Sequence, residues 1–287
     1  MKKTDLIPEP KPRVPNVDRE VVNDFGREWV HFNQRAMSES ERTDHFDRYF
    51  SIFPWHELPA DAVGFDAGCG TGRWALLVAP RVKHFHCVDP SNAIFVAKSN
   101  LAHLKNCSFH HATIDEMPIS DGTMDFGYSL GVLHHIPDTA QALATCVSKL
   151  KRGAPFLVYL YYAFDNRPFW FRWLYQPADW LRYAICRLPF RLKCVLCDLI
   201  AIFIYLPLAR LAYFLEKRGA RIDSFPLSVY RHRSFYSMRT DSLDRFGTKL
   251  EQRFTAIQIK EMMSEAGLEN ISFSQNAPFW CALGYKS

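Results

Sequence analysis

Short runs rich in apolar, β-branched and aromatic residues alternate with segments of helical period between residues 62 and 162. The runs predict strands over 62–66, 84–89, 108–112, 124–130 and 156–162, and the intervening segments predict helices over 73–79, 91–104 and 139–150. Alternation of this kind marks a parallel sheet with crossover helices, an α/β fold. The third helix runs into "KRGAP", where Gly153 suits a helix stop. Ahead of this core, aromatic and charged residues mix over 21–53 and predict amphipathic helices that cover it. Beyond residue 162 the rhythm breaks. A block of about ninety residues rich in Trp, Phe, Tyr, Leu and Arg predicts a helical insertion, after which "AIQIKEMMSEAGLENISF" restores a helix and a strand and "PFWCALGYK" adds a last strand. The expected organisation is a flexible Pro-rich arm (1–20), a helical cap (21–60), an α/β core (61–162), a helical lid (163–254) and a closing helix with strands (255–287).

Composition narrows the function classes. With 287 residues, 48% of them hydrophobic, the chain can bury a large core, and its +5 formal charge is scattered, which speaks against a nucleic-acid partner. Eight cysteines at irregular spacing, with no apolar leader after "MKKTD", lead us to expect reduced thiols and a cytoplasmic protein. The lone Cys194-x-x-Cys197 pair sits in an apolar run, and His84 and His86 share one strand face without a third ligand, so no metal is expected. The charge-free run 199–209, bracketed by Asp198 and Arg210, is too short to span a bilayer. It reads either as a buried lid helix kinked near Pro207 or as a peripheral membrane contact.

The chemistry gathers at "VGFDAGCGTGRWALLVA". Gly68, Gly70 and Gly72 follow a strand and open a helix, where a nearly bare backbone can turn sharply and approach a ligand. Arg73 stands where a dinucleotide fingerprint needs its last glycine, and the Lys-Ser/Thr of a phosphate loop is missing. Asp66, just before the loop, would repel a pyrophosphate and welcome a cationic ligand, which favours S-adenosylmethionine with its ammonium and sulfonium. Asp89 ends the next predicted strand, where a carboxylate can accept ribose hydroxyls.

"FDAGCGTG", "VDPS" and "DGTMDFGYSLGVLHHIPD", in this order and spacing, resemble the motifs of the class I S-adenosylmethionine-dependent methyltransferases, in particular the ubiquinone/menaquinone methyltransferase-like branch (methyltransferase type 11 domain). The resemblance implies a Rossmann-like seven-stranded sheet, six strands parallel and one antiparallel. It places Asp66, Gly68 and Gly70 at the methionine part, Asp89 at the ribose, and Leu130 and Gly131 beneath the cofactor, and counts Gly72 among the cofactor-binding residues. Thr113 holds the place where relatives carry an acid, so Ile114 and Asp115 become the adenine candidates. His134 and His135 lie where an acceptor would be presented and are candidates for a catalytic base, or for a hydrogen-bonded turn. Tyr161 and Tyr162 face the acceptor or pack against the lid, and Arg231 and Arg233 form an anion clamp or pair with neighbouring acids. The expected function is methyl transfer to a small-molecule O, N or S nucleophile by in-line displacement. A membrane-associated lipid or quinone methyltransferase and a non-catalytic S-adenosylmethionine-binding regulator are the alternatives.

Overall fold

The computed structural model describes residues 15–165, 169–222 and 225–287, so most of the expected N-terminal arm lies outside the described residues. Asp18 caps helix α1 (Arg19–His31), accepting bonds from the Glu20 and Val21 amides, and Ser38 caps α2 (Glu39–Tyr49). There follow β1 (Val63–Ala67), α3 (Ala75–Val78), β2 (His84–Val88), α4 (Ala93–Asn100), β3 (Cys107–His110), β4 (Phe126–Leu130), α5 (Thr139–Ser148) and β5 (Pro155–Tyr159). The insertion contributes α6 (Phe169–Ile185), α7 (Phe190–Ile200), a π turn (Ala201–Tyr205), α8 (Leu206–Lys217) and α9 (Phe235–Gly247). The chain closes with α10 (Ala256–Glu265), β6 (Leu268–Phe273) and β7 (Cys281–Lys286).

The seven strands form one sheet in the order β3-β2-β1-β4-β5-β7-β6, with β7 antiparallel to both neighbours and the others parallel. Central strands of such a sheet are covered on both faces, which is why β1, β4 and β5 read as almost unbroken apolar runs. Phe65, Phe126 and Phe156 are fully buried. The edge strand β6 alternates instead and leaves Glu269 and Asn270 in solvent.

Two strands are shorter than their apolar runs, for identifiable reasons. Met124 bridges Leu150 before β4 begins. Beyond Tyr159 the chain leaves the sheet to bond Phe254, whose amide donates to the Tyr161 carbonyl and whose carbonyl accepts from Ala163, both at 2.9 Å. That departure carries Tyr161 and Tyr162 out over the strand ends.

The insertion packs as a layer of its own. Cys197, Ile200, Tyr205, Tyr230, Met238 and Leu243 bury one another, and α9 is the element on which both α6 and α7 rest. Two ion pairs tie the layer together. Lys193 reaches Asp24 of α1 at 2.6 Å, and Arg239 grips both oxygens of Asp198 at 2.7 Å.

The run 199–209 is not a short buried helix. It lies inside a continuous helical stretch, Phe190–Lys217, of 28 residues with mean hydropathy 2.1, long and apolar enough by length and composition to cross a membrane. Asp198 does not end the helix because Arg239 pairs with it, and the wider π turn just before Pro207 accommodates a residue that cannot donate to the preceding turn. Only a third of its most apolar window is buried.

Candidate active site

A cavity of about 770 Å³ opens between the C-terminal ends of the parallel strands and the helices laid over them. Ligands of open α/β sheets bind outside those strand ends, and the volume falls within the roughly 300–1,000 Å³ usual for ligand sites. The glycine loop, Asp89, Ile114, Leu130 and Gly131 line it from the sheet, while Phe25 and Trp29 of α1 roof it. Tyr161, Tyr162, Tyr175, Tyr205, Tyr230, Arg233 and Arg245 close it from the insertion side.

The glycine loop adopts left-handed backbone at Gly68, Gly70 and Gly72, with φ of 86°, 53° and 76°. A Cβ on Gly68 would strike Val132 at 2.4 Å, whereas one on Gly70 would meet only the Trp29 ring, at 3.7 Å. Gly70 therefore faces the open space and Gly68 serves packing. Gly72 packs on Leu101 and does not border the cavity. Four of the loop's amides are consumed internally: Gly68 and Cys69 donate to the Val88 carbonyl, Gly72 to Cys69, and Gly70 to Asp89. The loop thus offers a ligand clearance rather than a nest of donors, which disfavours a phosphate.

Asp89 is nearly buried and accepts from the Gly70 amide at 2.9 Å, the Ser91 amide at 2.8 Å and the Ser91 hydroxyl at 2.6 Å. Burial raises its pKa, and those three donors act against the rise. An ionised carboxylate has about four lone-pair directions, so one is left for a ligand hydroxyl. This residue clamps the loop and faces the cavity at once.

Asp66 is placed differently from expectation. Its carboxylate does not border the cavity but lies enclosed beneath the loop, with neither oxygen hydrogen-bonded. Burial holds its pKa well above the usual carboxylate range; the neighbouring Tyr128 phenol pulls it down, and the Asp89 charge pushes it further up. A strand-end side chain points to alternate faces residue by residue, and Asp66 turns inward. Because the folded chain holds this proton more tightly than the unfolded chain, stability falls as pH rises above the ordinary carboxylate range. Asp66→Asn is therefore expected to raise the melting temperature at pH 7.5, with the gain shrinking toward pH 4. A variant that melts lower at pH 7.5 would show instead that the ionised carboxylate is held by a favourable partner.

The two histidines part company. His134 is fully buried against the Tyr161 ring at 3.9 Å, its ring nitrogens without a hydrogen-bond partner; burial drives its pKa well below normal, and it does not border the cavity. His135 borders it, and its Nδ1 lies 2.7 Å from the Leu250 carbonyl. A carbonyl only accepts, so Nδ1 carries a proton, while Nε2 is enclosed without a hydrogen-bond partner. Asp115 borders an adjoining hollow instead, near Gln141 at 3.3 Å. Arg231 is turned away and paired with Glu216 at 2.9 Å, while Arg233 borders the cavity 3.8 Å from Asp241.

Two cations were not singled out from the sequence. Arg73 borders the cavity beside the glycine loop and lies over the Trp74 ring at 4.4 Å. Arg245 borders it from α9 and pairs with no carboxylate among the described residues, because its neighbours Asp241 and Asp244 accept the phenols of Tyr230, at 2.6 Å, and Tyr161. The signal for Arg245 lay in helical phase: a Ser234 cap starting a helix at 235 puts 241, 244 and 245 on one face.

Residues 65–158 match the methyltransferase domain family. Over 97 residues the chain is 29% identical to a protein of Mycolicibacterium smegmatis described as a probable S-adenosylmethionine-dependent methyltransferase; the match covers 32% of this chain and 35% of that relative, so the chain spans about a third of the curated relative's length. In fold the chain is similar to the carbon methyltransferase CurJ, with a TM-score of 0.51 at 10% identity over 91% of this chain and 57% of the other. It is likewise similar to a possible exported protein from Bordetella parapertussis, with a TM-score of 0.50 at 14% identity over 92% of this chain and 79% of that one. Matched motifs, strand order and cavity placement agree: the chain carries a methyltransferase domain of the class I S-adenosylmethionine-dependent family, with S-adenosylmethionine as that domain's cofactor.

Proposed function

We propose that the protein transfers a methyl group to a small-molecule acceptor bearing an anionic group. The observation that carries this reading is one cavity lined both by Asp89 with the glycine loop and by Arg245, which pairs with no carboxylate among the described residues, amid the tyrosines of the insertion side. When bound, S-adenosylmethionine supplies a methyl group on a positively charged sulfur. Asp89 would accept a ribose hydroxyl at its open lone pair, Ile114 would pack on the adenine, Leu130 and Gly131 would form the floor, and Arg73 would pair with the amino-acid carboxylate. The tyrosines and Arg245 hold the acceptor in line for attack, with reacting atoms roughly 3 Å apart. The roof of α1 and the insertion exclude water.

For a hydroxyl acceptor, His135 is the candidate base: Leu250 fixes its Nδ1–H, and its Nε2, without a protein partner but enclosed, would receive the proton once the ring turns toward the cavity. His135→Ala is expected to lower kcat about 100-fold without changing cofactor affinity. An unaltered kcat would remove His135 from the reaction. Incubating the protein with methyl-labelled donor and an anion-exchange-fractionated metabolite extract tests the function itself. Label in a small anionic product is expected. Donor binding without any labelled product would favour a regulatory protein.

A further inference from the structure

We infer that the outer face of the insertion docks on an anionic lipid surface, and that the acceptor enters the cavity from it. Twelve of the fifteen large apolar side chains found exposed among the described residues lie between 173 and 214. Trp173 and Trp180 of α6 are 76% and 73% exposed, and Phe203 of the π turn is 72% exposed. On the long helix Leu192, Val195, Leu199, Phe203 and Leu211 follow helical spacing along the side away from α9. Patches this rich in large apolar groups are rare on free surfaces.

Charge identifies the partner. Residues 169–221 contain nine Lys and Arg against three acids, leaving the rest of the chain close to neutral. All three acids are neutralised by pairing, Asp179 with Arg182, Asp198 with Arg239 and Glu216 with Arg231. That leaves Arg187, Arg191, Arg210, Lys217, Arg218 and Arg221 exposed without an acidic partner, before, within and after the apolar run. An apolar face with Trp and a cationic border suits a helix lying in the headgroup region of an anionic bilayer. Crossing the bilayer is a poorer fit for the 190–217 helix, because its inner face is pinned by Lys193–Asp24 and Asp198–Arg239 and rests on the polar helix α9.

The cavity meets this face. Leu181 and Ile204 are 41% and 44% exposed and also line the cavity, so its rim lies within the apolar surface. An acceptor with an apolar body and an anionic group would pass from the lipid to the phenols and Arg245; this last step rests on the proposed reaction, whereas the docking does not.

Co-sedimentation of the full chain with phosphatidylcholine vesicles, with and without phosphatidylglycerol, tests the docking without donor or acceptor present. We expect sedimentation with the anionic vesicles, weakening at high salt, and about a tenfold lower partition for Phe203→Glu. Retained S-adenosylhomocysteine binding by that exposed-site variant shows that it is folded. Failure to sediment with anionic vesicles would overturn the inference and leave the methyl-transfer reading standing. Binding unchanged in both Phe203→Glu and Trp180→Glu would overturn it too. So would a dimer that Phe203→Glu splits, since a second copy would then cover the face.

Discussion

Asp89→Ala is expected to weaken S-adenosylmethionine binding about 100-fold. A hydrogen bond from a ligand hydroxyl to an ionised carboxylate is worth roughly 1.5–3 kcal/mol, and each 1.4 kcal/mol is about tenfold in affinity. Asp89 contributes in two ways, since the carboxylate facing the ribose also fixes the Gly70 amide and thereby the loop. Folding should suffer less. The lost bonds to Gly70 and Ser91 are partly offset by removing a carboxylate that burial disfavours, so the melting temperature should fall by only a few degrees, or about 1 kcal/mol. Asp89→Asn, which keeps one acceptor oxygen, should fall between. Wild-type affinity in folded Asp89→Ala would dismiss the ribose role.

Arg245→Ala should raise the KM for the anionic acceptor about 10- to 100-fold, the worth of one or two charge-assisted hydrogen bonds, with cofactor affinity unaltered. The guanidinium borders the cavity from α9, and the phenols of Tyr161 and Tyr230 have already engaged Asp244 and Asp241. Its charge is therefore open to a ligand. Arg245→Lys should recover part of the loss, because an ammonium keeps the charge without the planar fork. Arg231→Ala should leave KM unchanged, since Arg231 is committed to Glu216. An unchanged KM in Arg245→Ala would mean that the acceptor is neutral or sits elsewhere in the cavity.

The parallel core was legible because its strands are buried on both faces and its glycines fall between a strand and a helix. Asp89 was legible for the same reason, as a carboxylate at a strand end. Direction of side chains was not. Asp66 sits at the right place in the chain and turns under the loop, and of two adjacent histidines only His135 reaches the cavity. One residue of phase separates the two outcomes. The insertion was harder still. Its sequence is apolar on several faces, so periodicity alone did not tell the buried side of the long helix from the exposed one. Those sides were set by the long-range pairs Lys193–Asp24 and Asp198–Arg239. The arginine cluster had no phase until the helix from Phe235 supplied one, which puts Arg245 rather than Arg231 at the cavity wall.

The most direct measurement is calorimetric titration of the folded protein with S-adenosylhomocysteine, which has the same adenosine and amino-acid parts as the donor without the transferable methyl. The site built from Asp89, the Gly70 turn and Arg73 predicts saturable binding at one site per chain, lost with Asp89→Ala. Absence of saturable heat from well-folded wild-type protein, or equal binding by Asp89→Ala, would contradict it.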